Sequence, residues 1–233
     1  MREMVGDSEA IREPAEGRPL YEARCMDDPE SVVEIRRFIA AHYLASDQIS
    51  RDDLDQQGLF KDRVDPRWRH SVYFGVFDAD HQPQIASRLI LPTDNIEQSL
   101  QLNFDDLYPG WRDFITERDP HSFAEFSSYA KVPGARTKFV RPLLLQEMAR
   151  YSREHDIKYW VADVDPRIVP MYHLVLPGIV RIGAPSSVKV ELEGESPVCI
   201  PYLYRLAGHA ELTVPKSMLA AHAIGETMVV PGA

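Results

Sequence analysis

The chain switches between two hydrophobic periods, and the points of change mark its elements. Apolar residues at every second position predict strands over 21–25, 71–78, 84–91 and 123–132, the last rich in aromatics. Spacing of three and four predicts two long helices. The first follows the start signal Asp27-Asp28-Pro29-Glu30-Ser31 and puts Val32, Val33, Ile35, Phe38, Ile39 and Tyr43 on one face. The second gathers Leu144, Leu145, Met148, Ala149 and Tyr151, with Glu147, Arg150, Arg153 and Glu154 between them, and ends at His155-Asp156. A compact strand is expected over 158–162, then a short helix opened by Asp165-Pro166 and running to about Val175. Strands over 179–182, 188–192 and 198–206 complete the pattern, with Pro and Gly at their ends.

Two long connections interrupt this order. Residues 46–70 are highly charged, and a loop of that length in a compact domain is often a lid or a substrate wall. Residues 94–120 carry Ile96, Leu100, Leu102, Phe104, Leu107, Tyr108, Trp111, Phe114 and Ile115 in helical pieces broken at Pro109-Gly110. Such an insert can line an apolar tunnel, but ordinary core packing is the expectation for most of these side chains. Residues 1–19 are polar and read as a flexible tail, 20–215 as one domain, and 216–233 as a second tail with a short amphipathic run over 216–224. There is no internal repeat or low-complexity tract.

Composition narrows the class. An apolar fraction of 44% is enough for a real core, and a net charge of −10 argues against nucleic acid as a partner of the whole surface. No apolar run approaches the roughly 18 residues of a membrane span. The acidic N-terminus has no signal-peptide core, so a cytoplasmic location is expected. Cys25 and Cys199 are far apart and read as reduced structural thiols. The acids of residues 47–65 lack the Gly and closing Glu of a calcium loop, so no metal is expected.

The chemistry concentrates between Ser122 and Val175. After the aromatic strand, Pro133-Gly134-Ala135 turns the chain into a helix N-terminus, where free backbone N–H groups and the helix dipole favour phosphate. Lys131, Arg136, Lys138 and Arg141 surround that turn. A solvated basic face and a phosphate cradle both account for them. Glu125 lies inside an apolar strand, where Glu is uncommon. It is either a surface or salt-bridged Glu on a strand or a general base.

At these residues the chain resembles the GNAT-fold acyltransferases. Glu125-Phe126-Ser127-Ser128-Tyr129 is similar to the Glu-x-Ser-Arg-Phe strand of acyl-homoserine-lactone synthases and their N-acyl amino acid synthase relatives. Arg88-Leu89-Ile90-Leu91-Pro92-Thr93 resembles their Arg-Leu-Leu-Pro-Thr segment, with one extra residue. The segments 178–185 and 194–197 resemble the tail of N-acyl amino acid synthase-like and exosortase-associated acyltransferases. The resemblance spans roughly residues 20–205. It implies an α/β (α+β) GNAT-like fold: a twisted, mixed, mostly antiparallel sheet flanked by helices and splayed at its centre for a thioester.

The resemblance also implies roles. The expected activity moves a fatty acyl group from an acyl carrier protein or acyl-CoA to the amino group of an amino acid or similar small amine. Glu125 would be the base, Tyr172 the acid to the departing sulfur and Ser127 an auxiliary donor. A backbone N–H on the 126–132 strand would polarise the carbonyl. Lys131, Val132, Gly134, Ala135, Arg136, Thr137, Lys138 and Arg141 would hold the phosphopantetheine arm, and Arg88 would face the acceptor. Asp52, Asp55 and Asp65 are candidates to meet the amine. For each of these residues a packing or surface role stands beside the functional one, and His173 reads as structural. Ser128 replaces the family Arg, which points away from lactone formation. The glycine-poor loop 132–140 departs from the acetyl-CoA-binding pattern and suits a carrier-borne arm, an acidic carrier being steered by the basic mouth. The alternatives are an acetyl-CoA-dependent N-acetyltransferase and a silent module that only binds acyl carrier.

Overall fold

The computed structural model of the chain describes residues 20–176, 178–187 and 198–206. Within them the order is β1 (Tyr21–Met26), α1 (Pro29–Ala45), β2 (Ser71–Asp78), β3 (Pro83–Ile90), α2 (Ile96–Ser99), α3 (Trp111–Thr116), β4 (Phe123–Lys131), α4 (Thr137–Glu154), β5 (Tyr159–Val164), α5 (Val169–Val175), β6 (Val180–Arg181), β7 (Ser186–Ser187) and β8 (Val198–Arg205). The sheet order is β1-β2-β3-β4-β5-β8-β6, with β7 also on β8. Among the described residues every pairing is antiparallel except β4 with β5. The expected fold class is therefore the observed one.

Local chemistry sets the boundaries. The Asp28 carboxylate caps α1 by accepting from the N–H groups of Glu30, at 3.0 Å, and Ser31, at 2.9 Å. The β2–β3 hairpin closes on Asp78, whose side chain accepts from the N–H groups of Asp80 and Gln82. Pro133 and Gly134 take the middle of the turn from Val132 to Ala135, and Gly134 has φ 80°, where a Cβ would be strained. The strand expected over 179–182 is shorter, Val180–Arg181, and Ile182 buries its side chain in the cluster beneath the 94–120 insert. The strand expected over 188–192, the segment 194–197 and both tails lie outside the described residues.

Two features of β4 position the site. It pairs with β5 only at Phe123, Ala124 and Glu125; beyond them β5 follows β8 while β4 continues along β3. The two parallel strands thus part just after Glu125. A bulge interrupts the β3–β4 ladder between Ala86 and Arg88, opposite Ser128, which has φ 58°. The Ser87 hydroxyl donates to the Ser127 carbonyl at 2.8 Å and pins the bulge.

Each sheet face has its own cover. On one, α4 and α5 bury Leu144, Met148, Phe126, Trp160 and Tyr172 in a single cluster. On the other, α1 packs Ile35 and Ile39 over β2 and β3, and the 94–120 insert packs Leu100, Leu102, Trp111 and Ile115 over Phe123 and Val161. The insert is core, as its pattern led us to expect for most of its side chains. It docks by backbone bonds, Tyr108 N–H to the Ile182 carbonyl at 2.8 Å and Ala184 N–H to the Asp106 carbonyl at 2.9 Å.

Candidate active site

Glu125 sits at the last β4–β5 pair, at the apex of the gap, and is 2% exposed. Alternation along β4 turns it to the α1 and insert face. Its Oε2 accepts from the N–H groups of Gln101, at 2.6 Å, and Leu102, at 3.2 Å. Its Oε1 has no hydrogen-bond partner among the described residues. Burial lifts its carboxyl to about 7, against the pull of those two N–H groups and of Arg88 and Arg67. Arg67 also donates to the carbonyls of Ser99 and Gln98, both at 2.6 Å, and so fixes the segment whose N–H groups hold the carboxylate.

Arg88 is directly across β3 from Ser127, on the same face as Glu125. It is buried and donates to Asp65 Oδ1 at 2.6 Å and to the Tyr73 hydroxyl at 3.4 Å. Burial disfavours its charge, but Asp65 and Tyr73 more than compensate and hold it above its ordinary range. Its Nε is buried with no hydrogen-bond partner. Ser127 is half-buried, its hydroxyl 3.3 Å from both Gln101 Oε1 and the Ser128 hydroxyl.

Tyr172 reaches the same gap from α5, on the opposite face, edge-on to Phe126 at 5.6 Å. Burial pushes its phenol far up, and its electrostatic neighbours are Tyr43, Tyr129, Arg141 and Cys199. Tyr43, on α1, is likewise raised by burial, to about 12, and hydrogen-bonds the Ser128 side chain. The gap between β4 and β5 is where the two faces meet. Burial also raises both thiols, Cys25 to about 11 and Cys199 to about 12, consistent with structural cysteines.

The basic loop follows. No side chain caps α4 and no acid lies in its first turn, although the helix is 18 residues long. The N–H groups of Val132, Ala135 and Thr137 are spent on the carbonyls of Gln84, Val132 and Ala135. Lys131 and Arg136 are exposed, while Arg141 donates to the Tyr129 hydroxyl at 2.9 Å. Lys138 lies in the helix's first turn.

The sequence profile of the N-acyl amino acid synthase FeeM matches residues 34–189. The chain belongs to the FeeM family of N-acyl amino acid synthases. Among solved structures, it is 16% identical to FeeM from uncultured soil microbes, over 81% of this chain and 92% of that one, with a TM-score of 0.54. It is 13% identical to the acyl-homoserine-lactone synthase LasI, over 80% and 90%, with a TM-score of 0.53. It is 15% identical to BjaI, a CoA-dependent acyl-homoserine-lactone synthase seen with SAM and isopentyl-CoA, over 83% and 81%, with a TM-score of 0.51. A search of curated proteins finds no match. At these identities the structural likeness speaks for the fold, which is GNAT-like, and the family makes the protein an acyltransferase. No helix among the described residues is long and apolar enough to cross a membrane.

The FeeM-family fold brings some of the sequence candidates together and leaves others outside. Glu125, Ser127, Arg88 and Asp65 share one face. Tyr172 packs on Phe126 on the opposite face, and Arg141 bonds Tyr129. Asp52 is exposed, and its backbone carbonyl, not its carboxylate, accepts from Lys61 and Arg63. Asp55 closes its own loop, accepting from the N–H groups of Gln57 and Leu59. Besides Asp65, the buried acid of that region is Asp53, which accepts from Ser50 N–H at 2.9 Å and from Arg63 at 2.8 Å. Its signal was the Ser50-x-x-Asp53 spacing of a capping box. Tyr43, Arg67 and the Gln101 and Leu102 N–H groups carried no such signal, because only tertiary packing brings them to β4.

Proposed function

We propose that the protein transfers a fatty acyl group from the phosphopantetheine thioester of an acyl carrier protein or CoA to the amino group of an amino acid or a similar small amine. The observation that carries this reading is Glu125, a carboxylate poised near neutrality at the apex of the β4–β5 gap, with Oε1 unengaged. A base with a pKa near 7 is ionised in about half of the molecules at neutral pH and takes a proton from an incoming ammonium group more readily than an ordinary carboxylate does. Backbone N–H groups of β4 beyond Phe126 flank the gap with no β5 partner and offer donors to a thioester oxyanion. Ser127 supports that flank.

Tyr172 then has a narrower task than proton delivery. Its phenol holds its proton more tightly than a free tyrosine, so it serves a departing thiolate as a hydrogen-bond donor. Arg88 keeps its Nε for an acceptor carboxylate while Asp65 balances its charge, which supports an amino acid over a simple amine. Asp52 and Asp55 support no substrate role, being exposed or committed to their own loop. Phosphate groups of the donor fit the uncapped start of α4, with Lys131, Gly134, Arg136 and Lys138 around it and Val132, Ala135 and Thr137 shaping the turn. BjaI's isopentyl-CoA agrees with a CoA-type donor. Residues 132–140 hold one glycine, which agrees with an arm delivered by a carrier.

Mass spectrometry of lipid extracts from cells overproducing the protein tests this reading. A new N-acylated amino acid, missing from cells making the Glu125→Gln protein and reduced about tenfold with Tyr172→Phe, is the expected result. An extract unchanged by overproduction would leave a carrier-binding module as the better description.

A further inference from the structure

A cavity of about 820 Å³ opens between the first half of α1 and the loop from Asp55 to Trp68. Its walls are largely apolar, with Val32, Val33, Leu59, Phe60 and Trp68 among them, and Arg36 lines it too. Arg36 is 6% exposed. Its guanidinium lies over the Trp68 ring, 4.1 Å from the centroid, and its Nε is buried with no hydrogen-bond partner. Among the described residues Arg36 makes no ion pair within 4 Å. A buried cation without an acceptor is costly, so the cavity holds an unmet demand for a negatively charged oxygen.

Most of the other charges around the cavity are already engaged, and Asp27 stands exposed at its rim. Asp28 caps α1, Asp55 closes its loop, and Lys61 donates to the Asp52 carbonyl at 2.6 Å. Asp62 acts on Arg36 through space, yet its two oxygens go to the Trp68 indole, at 2.8 Å, and to Arg69, at 3.5 Å. Asp28, Asp55 and Asp62 direct their hydrogen bonds at the protein, which leaves Asp27 alone, and among the described residues no group of carboxylates is placed to hold a metal ion. Inorganic phosphate or sulfate would leave the apolar walls uncovered.

We infer that this cavity is a binding site for a small carboxylic acid with an apolar body, its carboxylate on Arg36 and its apolar part against Val32, Val33, Leu59 and Phe60. Its lining includes none of Glu125, Ser127, Arg88 and Tyr172, and the inference does not rest on the acyl-transfer reading. Titration calorimetry of the full chain with octanoate, octanamide and octylamine tests it. Octanoate should bind, and octanamide and octylamine roughly tenfold or more weaker, the margin of one charge-assisted hydrogen bond. Arg36→Met should lose octanoate binding by a similar factor. Val33→Trp, which fills the cavity and leaves Arg36 in place, should lose it as well, so a folding failure in one variant leaves the other informative. The inference is overturned if octanoate does not bind, if octanamide or octylamine binds as well, or if either folded variant keeps wild-type affinity.

Discussion

Ionising Glu125 inside the fold ties both stability and chemistry to pH. Its carboxyl is raised by burial from the ordinary Glu range to about 7. Between these values the folded chain keeps a proton that the unfolded chain has lost. Stability from this group is thus complete at acid pH and falls as pH rises to about 7, by roughly 3 kcal/mol in all. With Glu125 in the proposed role of base, activity runs the other way, since only the ionised carboxylate accepts a proton. The expected kcat/KM rises with pH through about 7, and Glu125→Gln removes that limb together with about 100-fold or more of the rate. A Gln variant that kept the limb would assign it to another group, such as the acceptor amine.

Asp65 belongs to the same scale. Because its pair with Arg88 is buried, Asp65→Asn leaves an uncompensated cation and should cost about 3–5 kcal/mol in denaturant unfolding. Glu125 was legible in the sequence because a carboxylate is out of place in an aromatic strand. The Arg88–Asp65 pair was legible only as two separate candidates, since nothing in the order of residues joins positions 23 apart.

At the scale of elements, the two long helices could be read from periodicity because each has one face on the core and the other toward solvent, and the strands, covered on both faces, stood out as short apolar runs bounded by turn residues. Residues 46–70 could not, because they are held by caps and turns such as Ser50 with Asp53 and Asp55 with Leu59. The bulge at Ser128 was hidden too: a serine with φ 58° leaves no compositional trace. The turn into α4 was visible through Pro133 and Gly134. Adding a methyl group at Gly134 meets no atom within 4 Å, so Gly134→Ala is a purely conformational change. It should cost about 1–2 kcal/mol of local strain. In steady-state kinetics it should raise the KM for the thioester donor several-fold and leave kcat nearly unchanged. A lowered kcat with unaltered KM would remove the turn from donor binding.

For the whole molecule, the decisive arrangement is a sheet that opens at its centre. β4 and β5 are joined at three residue pairs and then leave one another, with Glu125 on one face at the point of parting and Tyr172 against Phe126 on the other; the proposed donor would enter between them. The sequence could suggest this architecture only through resemblance, since splay arises from which neighbour each strand follows and not from its own composition. The account is tested most directly by incubating the purified protein with an acyl-carrier or acyl-CoA thioester and a panel of amino acids, measuring released thiol and acylated amine together. It predicts thiol release that needs an amino acid, matches the N-acyl product one for one and collapses in Glu125→Gln. Thiol release independent of any amine, or none with any donor and acceptor, would contradict it.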